Sequence, residues 1–306
     1  MDNPFDAYRI SGRDELDFAD PPTVVPTNMG PLDKVLSGGM APGLHVLMAQ
    51  PGAGKSALAL YVSVCSARSG TNVLYASTEM TRQQCIARCS ALVAHETEGL
   101  TEFTWSDWER MGAVARDEMA PYGFPDDMAR MDFLGRYPAV RAMRELRRSC
   151  PGLAIADGEE VASVDALCAT ARVMRQAGMG LLVVDYLQRL RPPEDAKDAE
   201  QYRQVTETSR ALAGLARELS LPILVVSSMN REGAASKRGT MAGARGSGDV
   251  EYDAVSIWHL VRPDEQPSDR TRLLELNVTK NRRGPVTDEP LRLSLDPRHN
   301  SFEEVG

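Results

Sequence analysis

The chain has 306 residues, 42% of them hydrophobic, which suffices for one large α/β domain or two small ones and excludes a disordered chain. No apolar run of about eighteen residues is present, and "MDNPFDAYRI" lacks the basic and apolar pattern of a signal peptide, so a cytoplasmic protein with no membrane partner is expected. The formal net charge of −8 excludes a protein that coats nucleic acid with its whole surface but leaves room for a local basic channel.

Residues 1 to 25 are acidic, Pro-rich near "DPPTVVP" and weakly amphipathic in "FDAYRI"; they are expected to form an arm or linker ahead of a domain spanning 26 to 306. Short apolar runs follow, separated by stretches of helical periodicity: "GLHVLMA" (43–49), "NVLYAS" (72–77), "LAIAD" (153–157), "LLVVD" (181–185) and "ILVVSS" (223–228). Strands apolar on both faces that alternate with helices predict a parallel sheet covered on both sides. The pattern then changes. "VSIWHLV" (255–261), "RLLELNVTK" (272–280) and "LRLSL" (291–295) succeed one another through short polar turns, which predicts hairpins extending the sheet. Residues 99 to 150 interrupt the rhythm with two Trp, two Tyr and "PYGFPDDMARMDF", and are read as a helical insertion serving as a lid, a partner surface or plain packing. Cys65, Cys85, Cys89, Cys150 and Cys168 form no CxxC or Cys/His pairing and are expected to be reduced and structural.

One loop carries chemistry. Ala49, Gln50, Pro51, Gly52, Ala53, Gly54, Lys55 and Ser56 ("AQPGAGKS") lie between a predicted strand and a predicted helix, the setting that a phosphate loop requires. Gly52 and Gly54 permit the positive φ values that turn successive N–H groups inward, and the following helix points its positive end at the same place. Lys55 would neutralise β- and γ-phosphates, and Ser56 would offer its hydroxyl to Mg²⁺. Asp185 ends "GLLVVD" at the carboxyl end of a predicted strand, where a metal-holding carboxylate belongs in such a sheet. Glu79 in "YASTEM" follows another strand on the same edge, as a water-orienting group or as a solvated residue or helix cap. "LNVTKNRRGPV" aims Lys280, Arg282 and Arg283 from one strand end, either to blunt a surface edge or to meet an anion.

Taken in order, "PTNMGPLDKVLSGG", "AQPGAGKSALAL", "STEM", "GLLVVDYLQRLR", "SRALAGLARELSLPILVVSSMNR", "ARGSGDVEYDA" and "VTKNRRGPV" resemble the C-terminal motor domain of DnaB-type replicative helicases, over most of residues 26 to 302. The resemblance implies a RecA-like P-loop fold and a ring of six subunits with ATP between neighbours. By matching position it implies nucleotide and Mg²⁺ at Lys55 and Ser56, the metal at Asp185, and a catalytic carboxylate at Glu79. Lys280 and Arg282 take the places of the lysine and the arginine finger that reach the neighbour's γ-phosphate. Two departures stand out: Ser228 occupies the position of a γ-phosphate-sensing glutamine, with Asn230 and Arg231 kept, and Gly246 replaces an acidic residue in the DNA-contacting loop, where Arg245 and Gly248 match. The family's N-terminal helical domain is expected to be absent. The function implied is an ATP-driven, ring-forming motor on single-stranded DNA in replication, with a loader or other replication partner. The alternative is a RecA-fold ATPase that uses nucleotide for assembly or signalling without unwinding.

Overall fold

A strand with no polar face must be covered twice, and the sheet obeys this at its centre. The computed structural model describes residues 23–197, 199–228, 248–266 and 268–305, so nearly all of the expected N-terminal arm lies outside the described residues. Strand β1 (Gly43–Ala49) is buried at every position. It lies between β5 (Pro222–Ser228) and β6 (Ser256–Val261), parallel to both. Beyond β5 come β4 (Met179–Asp185), β2 (Asn72–Ser77) and β3 (Leu153–Ala156), also parallel. On the other side β7 (Arg272–Asn281), β8 (Leu291–Asp296) and β9 (Ser301–Glu304) continue the sheet antiparallel. The mixed sheet therefore has the predicted parallel core and C-terminal hairpins, with β9 as an added strand.

Alternate residues of each central strand feed two separate cores. Leu47 of β1, Val183 of β4 and Leu224 of β5 pack with helices α2 (Lys55–Arg68) and α3 (Arg82–His95). Leu44, Leu182 and Ile223 pack on the opposite face with α7 (Val164–Gln176) and α8 (Gln201–Glu218). The short α1 (Gly30–Val35) adds Leu32 to the first core. Three helices, α4 (Asp107–Met119), α5 (Asp127–Leu134) and α6 (Pro138–Ser149), lie between α3 and β3, with Ala139 and Ala142 packed against Phe103 and Leu100 in a satellite cluster. A last short helix, α9 (Gly248–Asp253), precedes β6. No helix among the described residues is long and apolar enough to cross a membrane.

At the start of β1 the chain passes very close to the residue before β6: Val255 N–H donates to Leu44 O at 2.7 Å. Gly43 has φ +138, and a Cβ there would collide with the Val255 side chain. Beside it, Trp258 Nε1–H donates to Ser256 Oγ (2.8 Å), which lies 2.7 Å from His45 Nδ1, while His45 Nε2 lies 2.7 Å from Ala41 O. Ala41 O can only accept, so Nε2 carries a proton, and in the neutral imidazole that burial favours Ser256 donates to Nδ1 while accepting from Trp258.

Burial pushes the His45 imidazole down to about 4, below the ~6.5 of the unfolded chain. The unfolded chain therefore takes the proton first as pH falls, so this contribution is complete above about pH 6.5 and is lost towards pH 4. The expected loss is about 3 kcal/mol of unfolding free energy. Urea titrations at several pH values, with His45→Gln as comparison, should show a flatter acid dependence in the variant; parallel curves would exclude His45 as the cause.

Candidate nucleotide-binding site

The carboxyl ends of β1, β2, β4 and β5 share one edge of the sheet, with Ala49 opposite Ser228 and Ser77 opposite Asp185 in the parallel register. Residues 50–54 turn from β1 into α2 at this edge. Gly52 (φ +78) and Gly54 (φ +95) both take left-handed backbone, and a Cβ on Gly54 would sit 3.1 Å from Leu295 Cδ2. Only glycine satisfies both demands there. Helix α2 opens with no side-chain cap and no acidic residue in its first turn, which leaves its amide donors and positive end to an anion. Gln50, Pro51 and Gly52 are exposed, Ala53 is buried beneath them, and Lys55 and Ser56 are half-buried.

Asp185 is fully buried at the end of β4. Ser56 Oγ donates to its Oδ1 at 3.2 Å, and the Tyr75 hydroxyl on β2 donates to its Oδ2 at 2.6 Å. Burial raises the Asp185 carboxyl above the ordinary carboxylate range; the Tyr75 and Ser56 hydrogen bonds and the Lys55 charge pull it back, and Glu79 pushes it up. Burial and the adjacent Asp185 keep the Tyr75 phenol protonated. Ser56 and Asp185 present hard oxygen donors, which fit Mg²⁺. Among the described residues no group of three or more His, Cys, Asp or Glu is placed to hold a metal, so phosphate oxygens and water must complete such a site.

Thr78 ties the ends of β2 and β4 together. Its N–H donates to Asp185 O (2.7 Å), its hydroxyl bonds Asp185 O (3.1 Å), and the Tyr186 N–H donates to that hydroxyl (3.0 Å). Glu79, the next residue, projects exposed beyond this tie. Lys55 Nζ stands 5.5 Å from the centre of the Tyr186 ring. At Ser228 the Gln188 carboxamide occupies the strand end, accepting from Ser228 N–H (3.2 Å) and donating to Ser227 Oγ (2.8 Å). Asn230 and Arg245 lie outside the described residues; Gly248 opens α9.

Lys280 and Arg282 are held apart from this cluster. Because β7 runs antiparallel to β6, its end pairs Asn281 with Ser256, which itself pairs with His45 near the start of β1. The two cations therefore stand at the edge opposite the loop, a strand length of about 20 Å away. Lys280 Nζ donates to the main-chain oxygens of Glu251 and Tyr252, and Arg282 Nη2 donates to Tyr252 O. Burial and the Arg282 charge lower the Lys280 ammonium from its usual range.

Sequence reasoning brought Lys55, Ser56, Asp185 and Glu79 to one edge but passed over Tyr75, Thr78, Tyr186 and Gln188. Tyr75 carried a signal, since a tyrosine inside a fully apolar strand needs a partner for its hydroxyl. Tyr75→Phe is expected to cost about 1–2 kcal/mol of unfolding free energy by leaving one buried oxygen of Asp185 without its donor. An unchanged urea midpoint would mean that Ser56 alone satisfies the carboxylate.

Residues 24–304 match the family described as DnaB-like helicase C terminal domain. The replicative DNA helicase DnaB of Geobacillus stearothermophilus is 29% identical over 288 residues, covering 92% of this chain and 56% of the relative. The chain thus spans about half the length of that curated relative. Among solved structures, one described as an ATPase domain superposes with a TM-score of 0.74 at 23% identity, covering 100% of both chains. A DnaB-like replicative helicase, described with its interactions with primase, gives 0.73 at 23% identity, covering 100% of this chain and 68% of that one. A match from residue 24 to 304 takes in the glycine loop, the buried Asp185 and the distant pair of cations together, and the chain belongs to the DnaB-like helicase C-terminal domain family.

Proposed function

We propose that this chain is the ATP-hydrolysing motor of a DnaB-type replicative helicase, acting in the cytoplasm on single-stranded DNA as a homo-oligomeric ring of six subunits. The observation that carries the reading is the separation of Lys280 and Arg282 from their own loop, at opposite edges of one sheet. Cations so placed stand away from their own loop, which supports the reading that they serve the loop of a neighbouring subunit, with each nucleotide at a subunit interface. The alternative, an assembly or signalling ATPase, is not favoured, because the relatives matched are replicative DNA helicases. A helicase loader or primase is the replication partner this reading implies.

In this reading Ala49, Gln50, Pro51, Gly52, Ala53 and Gly54 wrap the phosphates with main-chain donors, and Lys55 neutralises the β- and γ-phosphates. Mg²⁺, when bound by Ser56 Oγ and Asp185, supplies charge neutralisation across the phosphate oxygens. Glu79 orients the attacking water and takes its proton. Lys280 and Arg282 meet the charge that develops on the neighbour's γ-phosphate, so hydrolysis depends on assembly. Arg245 and Gly248 offer a guanidinium and a main-chain N–H to DNA phosphates. Ser228 ends β5, with Gln188 supplying a carboxamide at that strand end, where the family has a glutamine side chain; Asn230, outside the described residues, is assigned with Ser228 to sensing the γ-phosphate by the resemblance alone.

ATPase rates measured with and without single-stranded DNA, across protein concentration, test the reading as a whole. A rate per subunit that stays constant on dilution, with no DNA effect, would sink it. Glu79→Gln should keep nucleotide binding and lose turnover, since an amide cannot accept the water's proton; wild-type turnover would remove Glu79 from the mechanism. Arg282→Ala should leave nucleotide affinity intact and cut hydrolysis by about a thousandfold. Mixing it with Lys55→Ala subunits should restore activity at interfaces that combine an intact loop with an intact finger. Without recovery in verified mixed assemblies, Arg282 is a surface cation.

A further inference from the structure

Tyr186 carries two cations, and the proposed mechanism uses one. Lys55 Nζ stands 5.5 Å from its ring centre, and the Arg189 guanidinium carbon stands 5.9 Å from the same centre. Both distances fall within the range in which a ring quadrupole attracts a cation. Arg189 Nε–H also donates to the Tyr186 hydroxyl at 3.2 Å, which holds the guanidinium at the hydroxyl end of the ring. The Tyr186 main chain is in turn tied to Thr78, the residue before Glu79.

Arg189 is exposed, and among the described residues its side-chain hydrogen-bond partner is the neutral Tyr186 hydroxyl rather than a carboxylate. A held cation with a neutral partner, at the rim of an anion-binding loop, retains its full charge for a ligand. Its location along the phosphate chain follows from its neighbours. Arg189 is bonded to the Tyr186 hydroxyl, and the Tyr186 main chain is bonded to the Thr78 hydroxyl, one residue before Glu79. Glu79 is the group assigned to the attacking water, and that water meets the γ-phosphate. On that assignment, Arg189 belongs with Glu79 at the end of the site that takes the terminal phosphate.

We propose that Arg189 is a second cation supplied by the same subunit to the nucleotide site, presented on the Tyr186 ring and selective for the terminal phosphate. The inference rests on the nucleotide-site reading above. It makes the loop's own chain distinguish ATP from ADP, before any neighbour docks.

Calorimetry of the full chain with Mg²⁺ and either a non-hydrolysable ATP analogue or ADP tests it. Arg189→Ala should weaken the analogue about tenfold, the loss of one charge-assisted contact at an exposed site, and leave ADP unchanged. Arg189→Lys should recover part of the difference, and Tyr186→Phe, which removes the hydroxyl that holds Nε, should give a smaller change of the same sign. Equal weakening of both ligands, or none, overturns the proposal. So does a fall in turnover with the analogue-to-ADP ratio unchanged, which would make Arg189 a positioning residue for Glu79. Lys55→Ala separates the two levels: if it binds nucleotide normally, the site reading itself fails, and if it loses binding while Arg189→Ala keeps the wild-type ratio, only this inference fails.

Discussion

The buried carboxylate of Asp185 is the constraint around which the site is arranged. A full charge at zero exposure is costly unless paired and hydrogen-bonded. Each element nearby answers that demand. Helix α2 gives the Ser56 hydroxyl and the Lys55 charge, β2 gives the Tyr75 hydroxyl, and the Thr78 bonds lock the main chain at which the carboxylate emerges. Removing any one donor leaves the others to satisfy an ion that cannot reach water. The same arrangement brings two strands and one helix together at the loop, so the candidate site and the local stability rest on one set of contacts.

The second organising fact is the change of direction at β6. Up to that strand the sheet is parallel, and every carboxyl end faces the loop. From β7 onward the pairing is antiparallel, and the chain returns to the opposite edge with Lys280 and Arg282 at its end. The contact of Val255 with Leu44 and the closed set of His45, Ser256 and Trp258 fasten the start of β1 to β6. Position and stability at the far edge are thus set by residues that never meet a ligand.

Much of this was legible in the sequence. Apolar runs without alternation marked the doubly covered strands, and Gly52 and Gly54 between a strand and a helix marked the loop, because backbone sterics and burial act locally. Asp185 was legible as a lone acid at the end of an apolar run. What could not be read was side-chain pairing across strands. Tyr75 looked like a core residue, and nothing in "DYLQRL" says that Gln188 turns to β5 while Arg189 turns to the Tyr186 ring. Strand β9 was missed because it has only four residues, two of them exposed glutamates, and its pairing is decided by β8. Asn230 and Arg245 fall outside the described residues, so their placement stays with the sequence argument.

In the proposed function, a loop on one edge and the cations that complement it on the other would make the two surfaces unlike, and unlike surfaces join head to tail. A two-fold dimer pairs each patch with its own copy, so it cannot satisfy such a contact on both sides. Head-to-tail joining either closes into a cycle or grows as an open helix. In an open chain one terminal loop always lacks its cations, and the opposite end always carries cations with nothing to meet. Closure removes both ends at once. Under the proposed function, the reversal of chain direction after β6 would thereby turn a property of one sheet into a rule of symmetry for the assembly.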